Sequence, residues 1–268
     1  MEEPSGRGKF LSVQEGASLA DFRGKTGNLI VVAPHPDDDI LGAGGTMIEA
    51  SEGGRGVFSI YLTDGRGSPR AGAGIGDEEM ASRRQEEALA ALKVTGAAGG
   101  FFLGKRSGEL ESDGGEVERQ LREIFKWLAP AEVYLPAPYE RHRTHQMATR
   151  ISLRALRPAA GVKPAVLGYS LWGCFHGGKE RLAREISPYI RKKVEAVLAH
   201  ATQVAYKGYQ QGILGKNNAE AVFWDSREVQ KGAFVETFVD MTEFLERDDL
   251  TVEKFIREDV ESFLKKYL

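Results

Sequence analysis

Apolar residues in this chain fall into short runs separated by amphipathic stretches, and the two kinds alternate. Leu29–Ala33 is apolar at every position and stops at Pro34. A helix is predicted over 41–52, closed by Gly53-Gly54; a strand over Val57–Thr63 ends at Asp64-Gly65, and a charged helix follows over 77–94. The alternation continues with a strand at 101–103, a helix over 116–128, a strand at 133–135 and a helix from 144. Strands that are apolar at successive positions, not alternate ones, need cover on both faces, and strands alternating with helices pair in parallel. The predicted fold class is therefore α/β, a doubly wound, mostly parallel sheet of Rossmann-like form. Beyond 158 the pattern loosens. A strand at 165–171, one long helix over 188–206, a strand at 234–239 and a helix over 252–268 read as additional C-terminal strands and helices, so one domain over 1–268 is expected.

Composition narrows the class. Hydrophobic residues make up 41% of the chain and the net charge is −3, which leaves a foldable core but no basic excess for sequence-independent nucleic-acid binding. No nucleic-acid partner is expected. Cys174 is the only cysteine, so neither an intrachain disulfide nor a thiolate-rich zinc cage can form, and a reducing compartment is indicated. Residues 1–27 lack an apolar run, and no stretch approaches the roughly 20 apolar residues of a membrane span. A cytoplasmic protein without a membrane span is expected; a homo-oligomer stays open.

In an open parallel sheet, ligands sit beyond the carboxyl ends of the strands. The loop after the first apolar run is Pro34-His35-Pro36-Asp37-Asp38-Asp39, one imidazole and three consecutive carboxylates. Their mutual repulsion is relieved by a divalent cation, and both His nitrogen and carboxylate oxygen are good zinc ligands. Pro36 stiffens the turn; His35 and Asp38, three apart, can face one point while Asp37 faces aside. The plainer alternative is a helix start capped by Asp39, with the other acids solvated near the positive end of the dipole. The loop Glu140-Arg141-His142-Arg143-Thr144-His145 leaves the sheet at the same edge, so His142 or His145 can reach the first loop. Two histidines and one carboxylate leave a coordination position open for water, as in catalytic zinc sites. Gly42-Ala43-Gly44-Gly45 at a helix start offers a different reading, a phosphate cradle, but lacks both the Lys-Ser/Thr ending and the G-x-G-x-x-G spacing. The Gly-rich stretch 65–76 reads as a rim over the site or as an ordinary surface loop.

Ala33-Pro34-His35-Pro36-Asp37-Asp38-Asp39 followed by Leu41-Gly42-Ala43-Gly44-Gly45-Thr46 closely resembles the zinc-dependent deacetylase family of N-acetylglucosaminyl-phosphatidylinositol de-N-acetylase and the bacterial LmbE-like proteins. Thr63-Asp64-Gly65, Arg84-Gln85-Glu86-Glu87, His142-Arg143-Thr144-His145, the stretch from Lys193 to Gln203 and the segment around Glu236 resemble further family motifs in order. The resemblance implies Zn2+ held by His35, Asp38 and His145, with Asp37 as general base. It implies removal of acetyl from an N-acetylated amino sugar or its conjugate. A protonated His142 would stabilise the oxyanion, and Arg84 and His200 would stand on the substrate side, Arg84 as a loop buttress with a helix-surface pairing to Glu87. A different zinc amidase activity, such as on a thiol conjugate, and a metal-binding homologue without activity are the alternatives. Three positions depart from the family pattern: Asp39 replaces the usual Glu, Thr144 the aspartate between the two histidines, and Ser107 an Asp.

Overall fold

Eight strands form one sheet in the computed structural model, which describes residues 8–16, 18–25, 27–70, 74–157, 163–172, 181–224 and 233–267. In chain order the strands are β1 (Lys9–Ser12), β2 (Leu29–Ala33), β3 (Val57–Thr63), β4 (Gly99–Lys105), β5 (Glu132–Pro136), β6 (Ala165–Tyr169), β7 (Arg181–Glu185) and β8 (Val235–Asp240). The helices are α1 (Asp38–Glu52), α2 (Asp77–Thr95), α3 (Gly114–Leu128), α4 (Arg143–Leu156), α5 (Ile190–Leu198), α6 (Ala201–Val204), α7 (Tyr209–Phe223) and α8 (Val252–Tyr267).

Across the sheet the order is β1-β4-β3-β2-β5-β6-β8-β7. The run β4-β3-β2-β5-β6 is parallel, and β1, β8 and β7 pair antiparallel at the margins. The expected doubly wound, mostly parallel sheet with added C-terminal strands is what forms. Strand β2 shows why its sequence is apolar throughout: Ile30 and Val32 face the layer holding α3, α4 and α8, while Leu29, Val31 and Ala33 face the layer of α1, α2 and α5. From β2 the chain steps outward to β3 and β4, then returns to place β5 on the other side of β2. The carboxyl ends of β2 and β5 flank the resulting switch point, where open α/β sheets bind ligands.

The C-terminal third departs most from expectation. The helix expected over 188–206 is a 3-10 turn at Ser187–Tyr189, then α5 and α6, interrupted at His200 (φ −81°, ψ 60°). Thr202 gives the physical reason: its N–H and hydroxyl donate to Glu87 of α2 at 2.7 and 2.8 Å, so a tertiary carboxylate caps a new helix start. Three elements lacked a readable pattern. β1 and β7 are short edge strands, β7 carrying the charged sequence RLARE, and α7 contains Gly212 and Gly215. Gly99 belongs to β4 because a Cβ there would meet the Leu11 carbonyl at 2.4 Å, where β1 crosses close by. Cys174 and His176 lie outside the described residues, as do residues 71–73 of the Gly-rich stretch.

Candidate active site and metal centre

The loop after β2 is pinned from both ends. Thr63, at the end of β3, donates its N–H and its hydroxyl to the Pro34 carbonyl at 3.0 and 2.8 Å. The N–H groups of Asp37 and Asp38 both turn back to the His35 carbonyl, at 2.8 and 3.2 Å. In that tight turn Asp38 Oδ2 accepts the His35 N–H at 2.9 Å and lies 3.0 Å from His35 Nδ1. The same oxygen is 3.1 Å from Nε2 of His145, in the first turn of α4. One carboxylate oxygen thus stands between two imidazoles that are 110 positions apart in the chain. Ligand atoms of His35, Asp38 and His145 all lie within 4.8 Å of one another.

His145 is almost fully buried, and neither ring nitrogen sits in hydrogen-bonding geometry although Asp38 and Glu140 Oε2 are only 3.1 and 3.2 Å away. Burial disfavours its cation, but the two carboxylates outweigh burial and push His145 up to about 10. Asp38 moves the opposite way. Burial would raise it, yet His145 and His35 hold its carboxyl far below the usual range. The carboxylate behind His145 therefore comes from Glu140, five residues before it, and not from position 144. Glu140 is itself buried, and its carboxylate accepts the N–H groups of Leu171 at 2.5 Å and Trp172 at 3.2 Å. It ties His145 to the chain leaving β6.

Asp37 faces aside, as the turn predicted, and takes Arg84 Nη2 at 3.0 Å. Burial pushes Asp37 up, Arg84 opposes that, and the neighbouring Asp38 adds to the rise. Arg84 is 1% exposed, and its Nε and Nη1 have no hydrogen-bond partner among the described residues. The expected pairing of Arg84 with Glu87 does not occur, because Glu87 is taken by Thr202. Gly65 (φ +70°) lets this arrangement close: a Cβ there would stand 3.0 Å from Arg84 Nε and 3.2 Å from Pro36.

His142 is the N-cap residue of α4 and is exposed at the mouth, its ring 5.1 Å from that of His35 and 5.0 Å from that of His145. Partial desolvation against the protein wall, then the two neighbouring imidazoles, hold His142 below its ordinary value. The surroundings favour a neutral ring over the expected cation. His200 is 2% exposed with both ring nitrogens unpartnered; burial and then Arg84 push it down to about 3, so it stays neutral. Ser107 Oγ reaches His35 Nε2 at 3.3 Å, from the position where an acid was expected.

Asp39 is not a solvated cap. It is fully buried, turned into the sheet, and accepts the hydroxyls of Ser59 and Tyr61 at 2.6 and 2.7 Å; residue 37 occupies the N-cap position of α1. The glycines after it do not cradle phosphate either. The Gly45 and Thr46 N–H groups are occupied by the buried Glu236 carboxylate at 2.8 and 2.9 Å. Gly42 and Gly45 are small for packing, since a Cβ would meet the Tyr169 ring at 2.4 Å and Ile186 at 2.6 Å.

Beside the metal-ligand turn lies a cavity of about 950 Å3, whose walls include Leu41, Leu171, Trp172, Tyr209, Ile213 and Phe223. Tyr209 stands against Trp172 with ring centres 6.4 Å apart, and burial followed by the charges of Asp37 and Asp38 pushes its phenol up to about 12. Sequence reasoning singled out neither aromatic residue; both sit in segments without a periodic signal.

Comparison with known proteins follows this geometry. Diacetylchitobiose deacetylase of Thermococcus kodakarensis is 27% identical over 189 residues, 65% of this chain and 69% of that protein. The probable N-acetyl-alpha-D-glucosaminyl L-malate deacetylase 2 of Bacillus anthracis is 26% identical over 75% of this chain and 92% of its own length. Among solved structures, N,N'-diacetylchitobiose deacetylase from Pyrococcus horikoshii superposes with a TM-score of 0.69 at 19% identity, covering 82% of this chain and 85% of that one. Residues 30–156 match the family described as GlcNAc-PI de-N-acetylase (PIG-L), a segment that contains β2 from Ile30 on, the His35 turn, Arg84 and the loop from Glu140 to His145. Over that segment the chain is similar to the PIG-L, LmbE-like family.

Proposed function

We propose that this protein is a zinc-dependent hydrolase that removes the acetyl group from the nitrogen of an N-acetylated amino sugar carried in a conjugate, and that it works in the cytoplasm as one domain. The observation that carries the reading is the convergence of His35, Asp38 and His145, with a second carboxylate, Asp37, beside them and held by Arg84. The donor set suits a divalent ion: buried His145 Nε2, outside hydrogen-bonding geometry, faces the same Asp38 carboxylate oxygen that lies 3.0 Å from His35 Nδ1. Zinc in a three-ligand site of this kind supplies Lewis acidity at a carbonyl oxygen and an acidified water.

The chain's own residues do the rest. Asp37, raised by burial, takes the proton of the attacking water and returns it to the departing amine as the C–N bond breaks, leaving acetate and a free amino group. Arg84 keeps that carboxylate aimed and opposes the rise that burial imposes on its pKa. His142, neutral at the mouth, donates an N–H to the carbonyl oxygen as charge develops there. Glu140, 3.2 Å from Nδ1, orients His145 so that its Nε2 would be available to a metal ion. His200 and Arg84 form the buried floor on the substrate side. The names of the relatives support the amino-sugar class, and the apolar cavity supports a substrate larger than the bare sugar. Among the described residues no helix is long and apolar enough to cross a membrane.

Acetate release, followed with zinc-loaded protein on free N-acetylglucosamine, its alkyl and aryl glycosides, and an N-acylcysteine conjugate, tests the reading. Turnover of the sugar glycosides is expected. Turnover confined to the cysteine conjugate, or absent throughout, refutes it.

A further inference from the structure

Helix α1 is not continuous. Ala43 leaves the helical region (φ −141°, ψ 17°) and divides α1 into a leading turn over 38–42, which begins with Asp38, and a trailing helix from Gly44. A break of this kind strands carbonyls on its upstream side and N–H groups on its downstream side, as any helix end does. Here they are inside the protein, since Ile40, Leu41, Ala43 and Met47 are all buried.

Two charged side chains from distant elements meet those groups. Glu236 of β8 accepts the Gly45 N–H at 2.8 Å, the Thr46 N–H at 2.9 Å and the Thr46 hydroxyl at 2.7 Å. Lys193 of α5 donates to the Leu41 carbonyl at 3.2 Å, to Glu236 Oε1 at 2.7 Å and to Asn217 Oδ1 at 2.9 Å. Both charged side chains are wholly buried. An apolar pair of similar volume would pack such a core at least as stably. What an apolar pair cannot do is hold a carbonyl on one side of the break and N–H groups on the other in a single rigid span.

We propose that Lys193 and Glu236 are positioning residues for the metal site, bridging the break in α1 so that Asp38 on the leading turn is held in fixed orientation toward His145 on α4. The inference rests on the reading that His35, Asp38 and His145 hold zinc.

The test compares zinc affinity, by competition with a chromophoric chelator, and melting temperature for wild type, Glu236→Gln, Lys193→Met, the double variant, and Leu121→Ala. Leu121→Ala creates a cavity in α3, away from α1, and controls for general destabilisation. The single variants are expected to lose affinity by about 10- to 100-fold, and Leu121→Ala to lose melting temperature without losing affinity. The double variant, which leaves no buried charge unpaired, is expected to regain melting temperature while its affinity stays low; it carries the test if a single variant fails to fold. Wild-type affinity in the single variants, or recovery of both properties in the double variant, overturns the inference. Wild-type protein that binds no zinc overturns the metal-site reading itself, and the inference with it.

Discussion

Replacing Asp39 by Asn should stabilise the metal-free protein, and by an amount that grows with pH. Asp39 is wholly buried beneath α1, and burial outweighs the hydrogen bonds from Ser59 and Tyr61, raising its pKa from 3.8 to about 6. For an acid raised in the folded state, the charged form is disfavoured by folding. No penalty exists below the unfolded value, and the full penalty is present above the folded value. With 3.8 unfolded and about 6 folded, the penalty is roughly 1 kcal/mol near pH 4.5 and roughly 3 kcal/mol near pH 8. Asparagine is nearly isosteric and never ionises; its oxygen can accept the Ser59 and Tyr61 hydroxyls while its NH2 takes the place of Oδ1, which already lacks a partner. That buried amide group offsets part of the gain, so about 1–3 kcal/mol is expected near pH 8 and less near pH 4.5. Urea denaturation of both proteins across this range, without metal, measures the difference. A difference independent of pH, or an Asn variant weaker than wild type near pH 8, would refute the reasoning. The same variant should keep most of its deacetylase activity, because Asp39 faces the sheet and not the metal-ligand turn.

Asp37→Asn should retain zinc and lose activity by about 10²–10⁴-fold, the usual contribution of a general base, with metal analysis and initial rates read on one sample. His35→Ala and His145→Ala should each purify with little zinc; stoichiometric metal in both would remove the ligand assignment. Activity should rise with pH as Asp37 ionises, with a midpoint above the ordinary carboxylate range. Arg84→Met, by removing the cation that opposes burial, should move that midpoint further up in a profile of kcat/KM, and an unmoved midpoint would show that another group sets the limb.

The turn that brings His35 against Asp38 was legible because its chemistry is local: His35, Asp37 and Asp38 span four positions, and a tight turn after a buried strand can arrange them in few ways. The central parallel strands were legible for a similar reason, since burial on both faces writes itself as uninterrupted apolar residues. The alternative of Asp39 as a cap fails because its partners, Ser59 and Tyr61, sit on β3 and face it only once the sheet has formed. Arg84 looked like half of a surface ion pair because Glu87 is its neighbour on the helix, whereas the fold gives Arg84 to Asp37 and Glu87 to Thr202. Lys193 opens a stretch that resembles a family motif, but nothing local marks it as the partner of a glutamate on β8. The interruption at His200 was invisible for the same physical reason: a tertiary carboxylate, not a local breaker, restarts the helix there.

The metal-facing side chains and the cavity walls come from different parts of the chain. His35, Asp37, Asp38, Arg84 and His145 all precede β6, and the strands that carry the two ligand loops are locked in register through Leu29 and Glu132, Ile30 and Val133, and Val31 and Tyr134. Apart from Leu41, the described cavity walls come from residues 170–172 and beyond, on segments that pack against the parallel core from outside. Under the proposed function, hydrolysis and recognition are therefore modular. Drift in α7, β7 and the turn after β6 can reshape what is accepted while the backbone ladder keeps the hydrolytic geometry unchanged. An exchange of that C-terminal portion between relatives would transplant substrate preference onto an inherited chemistry.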